Sequence, residues 1–112
     1  MFHRIHIGFF DLEELRSRKP VVTQLLPMDL IRPILDRYVL DSDDGKKTIS
    51  GEPVEISQEF IICPWISLGV NVNAVRLAIE INERLPGCVF VDFGSGELIS
   101  KYELLESISA IE

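Results

Sequence analysis

Residues 59–93 constrain this chain more than any other stretch. Between Asn73 and Leu85 the apolar residues Ala74, Val75, Ala78, Ile79, Ile81 and Leu85 fall on one side of a 3.6-residue period. Asn73, Arg76, Glu80 and Glu83 fall on the other side. The pattern is an amphipathic helix with Asn71 or Asn73 as its cap and Pro86-Gly87 as its stop. On either side lies an apolar run that does not alternate, residues 59–68 and 88–93, as expected of strands covered on both faces. A helix with one wet stripe between two such strands requires a layered arrangement of helices and sheet.

The remaining elements follow from the same reasoning. Residues 2–10 alternate as a strand, with Phe2, Arg4, His6 and Gly8 on one face and His3, Ile5, Ile7 and Phe9 on the other. One or two helical turns over residues 11–15 stop ahead of Pro20, and residues 21–26 read as a short strand or an extended linker. Leu30, Ile31, Ile34, Leu35, Tyr38 and Val39 form a second helical stripe, with Asp29 as N-cap and Pro33 near the end of the first turn. An acidic turn over 41–46 leads into a strand or hairpin over 47–56, broken at Gly51-Glu52-Pro53. After a turn at Gly94-Ser95-Gly96, Ser100 and Glu103 have capping-box spacing and open a last helix presenting Leu104, Leu105, Ile108 and Ile111.

The strong elements run β-α-β-β-α-β with a short C-terminal helix. This is the order of a ferredoxin-like α+β domain over residues 1–112, an antiparallel sheet with helices on one face. The other face is open unless residues 10–26, the terminal helix or a second subunit covers it, and a homodimer is the expected cover.

Charge narrows the partners. The chain carries 18 Asp and Glu against 11 Lys and Arg, a net of −7. Residues 1–40 have six basic and five acidic side chains, whereas residues 41–112 have five and thirteen. A polyanion or an anionic membrane needs clustered positive charge, and Arg16-Ser17-Arg18-Lys19 is the one basic cluster. Nucleic acid and membrane are therefore not expected partners. The acidity either serves solubility or forms a face for a basic protein partner, and Asp41, Asp43, Asp44, Glu52 and Glu55 are the candidate contacts.

Little points to chemistry. Cys63 and Cys88 lie in apolar runs without the spacing of a metal pair, which suits reduced core thiols and the cytoplasm. No apolar leader is legible at the N-terminus, and the longest apolar run is far shorter than a membrane span. His3 and His6 point to opposite faces of a strand. Residues 41–52 place glycine fifth where a calcium loop needs it sixth. Asp92-Phe93-Gly94 spells a kinase tripeptide without the rest of a kinase. No catalytic residue, cofactor or metal is expected. The alternative is a ligand pocket lined by His6, Trp65 and Asp92, with Asp92 a strand-end carboxylate able to serve as a base.

The helix Asn73–Leu85, then Pro86-Gly87-Cys88-Val89-Phe90-Val91-Asp92 and Gly96-Glu97-Leu98, resembles the last third of small acidic bacterial α+β proteins. Among these are immunity proteins that neutralise toxins and products of mobile gene cassettes. The likeness spans roughly residues 47–99 and implies stoichiometric binding through an acidic surface. The resulting expectation is a small cytoplasmic, non-catalytic protein-binding module. The alternative is a small-ligand-binding protein or enzyme with a pocket between the sheet and helices of a dimer.

Overall fold

A computed structural model describes residues 4–17, 19–64, 72–94 and 96–111. Trp65, Asn71 and His3 lie outside the described residues. The longest strand, β1 (Arg4–Phe10), runs through the middle of the main sheet. On one side it pairs with β7 (Phe60–Pro64), and β6 (Glu55–Ile56) lies beyond. On the other side it pairs with β8 (Val89–Asp92), and β9 (Glu97–Ile99) forms the outer edge. Every pairing is antiparallel, and the order is β6-β7-β1-β8-β9.

The helices α1 (Met28–Tyr38), α2 (Val72–Arg84) and α3 (Lys101–Ile111) share one core with this sheet. Ile5 and Ile7 of β1, Ile61 and Cys63 of β7, Phe90 and Ile99 meet Ile31, Ile34, Val75, Leu77, Ile81 and Leu104. Each such aliphatic side chain contributes roughly 1.5–3 kcal/mol through burial. Arg37 and Glu80 (2.7 Å) bridge α1 to α2 at the rim, and Lys101 and Glu83 (3.5 Å) bridge α3 to α2.

Local signals placed the helices well, with corrections at their starts. Ser100 caps α3 as expected, its Oγ accepting the Glu103 N–H at 3.2 Å. Asp29 does not cap α1. That helix begins after Pro27, whose carbonyl accepts the Leu30 and Ile31 N–H groups, and Asp29 sits in the first turn, where an acid suits the helix dipole. Pro33 accordingly lies deeper in the helix than expected, and Leu30 is half-exposed rather than part of the buried stripe. Asn73 lies inside α2, where its side-chain amide donates to Ser50 Oγ at 2.7 Å.

The α+β class and antiparallel pairing are as expected, but the whole strand order is not the ferredoxin-like one, because β9 extends the main sheet and a second sheet is present. Residues 47–56 do not form one strand of the main sheet. β4 (Lys47–Ile49) and β5 (Glu52–Pro53) join β3 (Leu40–Asp41) in a separate antiparallel sheet, ordered β3-β4-β5, and the two residues of β6 alone reach the main one. Two local features force the split. Ser50 (φ 50°) and Gly51 (φ 82°) take consecutive left-handed conformations, which make a tight two-residue hairpin. Pro53 has no N–H to extend the ladder. Buried Ile49 and Val54 anchor the small sheet to the core.

The face of the main sheet away from the helices is partly covered by a strap from residues 10–26. A 3-10 helix (Leu12–Ser17) is started by Asp11, whose carboxylate accepts the Glu13 N–H at 3.0 Å. It leads to β2 (Val22–Gln24), which pairs with the end of β1. Leu15 and Val22 pack there against Phe10, Val91 and Phe93. The linker-or-strand segment is thus a strand, and it supplies part of the cover that a second subunit was expected to provide.

Candidate functional site

Of the five candidate acidic contacts, four gather on the small sheet. Asp41 is on β3, Asp43 and Asp44 are in the β3–β4 turn, and Glu52 is on β5. Glu55 is separate, on β6 at the edge of the main sheet, opposite Ile62. The turn is built by its own side chains. Ser42 N–H donates to Lys46 O (2.8 Å), Gly45 N–H to Ser42 O (2.9 Å), and Gly45 takes φ 82°. Asp44 receives the Ser42 hydroxyl and, at 3.2 Å, the Lys46 N–H. Those bonds, the hydroxyl first, hold the Asp44 carboxyl below the usual carboxylate range.

The surface is less acidic than the sequence implies. Lys47 Nζ lies 2.6 Å from Asp41 Oδ1, and Lys46 Nζ lies 4.0 Å from Asp44 Oδ2. Both pairs are exposed, so each adds little stability, but each cancels a charge. The hairpin's four carboxylates and two lysines leave a local net of −2.

Beside this sheet, a groove of about 360 Å³ runs between α1 and the hairpin. Met28, Leu35, Val39 and Ile56 line it with apolar surface, and Arg32, Asp36, Asp41 and Lys47 supply its charged rim. Leu40, two-thirds exposed, lies on the opposite face of β3, paired with Thr48. An apolar floor with a charged rim suits a side chain of a protein partner better than a polyanion. Sequence reading missed the groove because its walls come from two elements joined only by tertiary packing.

Of the alternative trio, His6 and Asp92 lie on opposite faces of the sheet. Trp65 lies outside the described residues. His6 is registered with Ile62 and Val91, whereas Asp92 is one residue beyond Val91 and so belongs to the opposite, helix-side face. Asp92 is buried, and its carboxylate accepts the Gly94 N–H at 2.9 Å while its carbonyl accepts the Gly96 N–H at 2.7 Å. It shapes the β8–β9 turn.

His6 stands instead in a ring of four aromatic side chains. It contacts Phe60 (5.3 Å between centroids) and makes a T-shaped pair with Phe93 (4.8 Å), and Phe10 closes the ring against Phe60 (6.0 Å) and Phe93 (5.1 Å). Such tilted and edge-on pairs add about 0.5–1.5 kcal/mol each beyond burial. Gly8 sits between His6 and Phe10 on this face, and a Cβ there would meet Glu59 O at 3.1 Å, Phe10 Cζ at 3.2 Å and Phe60 Cβ at 3.2 Å. The alternation His6-x-Gly8-x-Phe10 was the available signal. A strand glycine between two ring-bearing neighbours marks a close approach from above.

His6 Nδ1 is buried without a hydrogen-bond partner. Burial, assisted by Arg4, holds the imidazole below its ordinary 6.5 against the opposing pull of Asp92 and Glu55. Burial likewise pushes both thiols, Cys63 and Cys88, up to about 12, which leaves them poor nucleophiles. Among the described residues no group of three His, Cys, Asp or Glu is placed to hold a metal ion, and no helix is long and apolar enough to cross a membrane. Comparison with protein-family models, with curated proteins and with solved structures found no match to this chain.

Proposed function

We propose that this chain is a small, non-catalytic binding module that engages a protein partner through the β3-β4-β5 sheet and the groove beside it. One observation carries the reading: Asp41 lines an apolar-floored groove, and Asp43, Asp44 and Glu52 lie on the same small hairpin sheet and its turn. A basic residue flanking an apolar side chain has the chemistry to occupy both. An immunity-type inhibitor in the cytoplasm is the biological form of this reading, supported by buried unpaired cysteines and by the acidic C-terminal two-thirds. The run β6-β7-β1-β8, with a helix after β1 and another after β7, supports regarding the main sheet as an elaborated ferredoxin-like unit.

The test is affinity capture from the native host with the wild-type chain and with the charge-reversed D43K/D44K variant. The wild type captures a partner at low salt and releases it as salt approaches about 0.5 M, where exposed charges are screened. The variant captures none. Equal capture by both chains, or capture indifferent to salt, removes the acidic sheet as the contact surface.

A second reading, a small-ligand site at His6, is favoured by its buried, unpartnered Nδ1 between aromatic rings. Native mass spectrometry of the purified chain discriminates the two. A stoichiometric small-molecule adduct that the H6F variant lacks supports the ligand site, and an unliganded mass leaves the protein-binding reading standing.

A further inference from the structure

We propose that the His6–Phe60–Phe10–Phe93 ring cluster is a proton-sensitive latch that holds the strap of residues 12–17 and 22–24 against the sheet. The inference is independent of the partner assigned above. It starts from the one polar member of the cluster. A neutral imidazole is tolerated between Phe60 and Phe93, but its Nδ1 is buried and has no partner. Protonation places a charged N–H donor at that atom with nothing to accept it, and the ring must leave its place to reach water.

The charged groups that bear on His6 come from three strands. Arg4, on the same strand and the same face, repels an imidazolium. Asp92 of β8 and Glu55 of β6 attract it. Asp92 lies toward the other side of the sheet with its carboxylate on the Gly94 N–H, and Glu55 is separated from His6 by Ile62 of the intervening strand. Neither is placed to accept the proton on Nδ1, so burial prevails and the closed latch prefers neutral His6.

The strap is coupled to this ring cluster through Phe10. That residue makes a tilted pair with Phe60 and a T-shaped pair with Phe93, is registered with Val22 of β2, and joins the cluster on which Leu15 and Val22 pack. The strap's backbone attachment is slight. β2 is three residues long, its register slips between Phe9 and Phe10, and Asp11 N–H to Val21 O (2.8 Å) is a further tie. Such a segment opens locally at far less cost than global unfolding. Opening lays bare Phe10, Val91 and Phe93, an apolar surface presented more often in acid.

The sign follows from linkage. His6 titrates lower in the closed state than in the opened one, so closure is strongest above pH 6.5, weakens as pH falls toward the closed-state value, and weakens no further below it. The opening constant rises in total by tenfold for each unit separating the two values.

The experiment is NMR on the full chain between about pH 7.5 and about pH 5, where an unperturbed histidine titrates. The His6 ring is titrated directly, with His3 distinguished by an H3Q variant. Amide exchange, corrected for its intrinsic pH dependence, is read at Asp11 for the strap and at Ile7 for the centre of the sheet. The expected result is a His6 titration below 6.5, with a matching rise in opening at Asp11 and none at Ile7. In H6F, the Asp11 response is flat. A His6 titration at or above 6.5, equal responses at Asp11 and Ile7, or an acid response that persists in H6F overturns the latch. If H6F does not fold, disagreement in the wild type between the His6 titration and the rise at Asp11 overturns it unaided.

Discussion

Replacing Gly8 by alanine tests whether the ring cluster is packed as tightly as its geometry implies. Gly8 does not take a left-handed conformation, unlike Gly45, Gly51 and Gly96, so backbone freedom is not what requires glycine there. Space is. The added Cβ meets Glu59 O at 3.1 Å and Phe60 Cβ at 3.2 Å, atoms fixed to the backbone of the β7 hairpin, as well as Phe10 Cζ at 3.2 Å. Phe10 can tilt, but the other two contacts yield only if β7 moves away from β1 across their Gly8–Phe60 pair. Overpacking of this kind costs about 1–3 kcal/mol. Removing a glycine from a strand returns about 0.4–1 kcal/mol through the unfolded chain. The expected net is destabilisation by about 0.5–2 kcal/mol, or a fall in Tm of several degrees for a domain of this size. Urea denaturation followed by circular dichroism measures it, with an unchanged slope showing that the denatured state is unaffected. Gly45→Ala is the contrast: nothing lies within 4 Å of its added Cβ, yet φ is +82°, so its cost of roughly 1–2 kcal/mol is backbone strain alone. Exchanging Phe10 for leucine lessens the G8A penalty and leaves the G45A penalty untouched. A G8A protein as stable as the wild type would refute the close packing.

Other perturbations probe other joints. Leu104 is fully buried and joins α3 to the core, so Leu104→Ala is expected to cost about 2–5 kcal/mol in the same denaturation assay, and a loss under 1 would show that α3 is only loosely docked. Ser50→Gly removes left-handed strain of about 1 kcal/mol but also the hydroxyl that Asn73 binds, so it is near neutral alone and stabilises by about 1 kcal/mol in an N73A background. A double-mutant cycle showing strict additivity would sink that account. Cys63 and Cys88, buried with thiols pushed to about 12, are expected to resist a thiol reagent at pH 8 in the native protein and to react at once in denaturant. Rapid native labelling, read by mass spectrometry, would contradict their burial.

The acidic surface shows how far residue counting reaches. The surplus of carboxylates beyond residue 40 is plain in the chain, and four of the five singled out do lie on one small sheet or in its β3–β4 turn. That Lys46 and Lys47 fold back onto Asp44 and Asp41 was not legible, because the pairing depends on the hairpin register that sets Asp41 opposite Lys47. For His6, Trp65 and Asp92, the alternation of β1 was readable but its alignment with β8 was not. The register places His6 beside Val91 rather than Asp92, and so assigns the two candidates to different faces.

What the amino-acid sequence determined by itself were the local features: the apolar stripes of α1 and α2, the stop at Pro86-Gly87, the Ser100 cap of α3 and the turn-forming acidic loop. Each depends on residues within about four positions of one another, where helical period and capping chemistry act. Tertiary structure decided the rest. Strands of two or three residues such as β3, β5 and β6 carry no period to read, and their assignment to a sheet is a choice among distant partners. The same holds for the face opposite the helices. Alternation in β1 showed that His6, Gly8 and Phe10 share a side, but only packing brought Phe60, Phe93 and the strap onto it, because apolar burial is non-directional and settles on whichever surface the whole chain brings near.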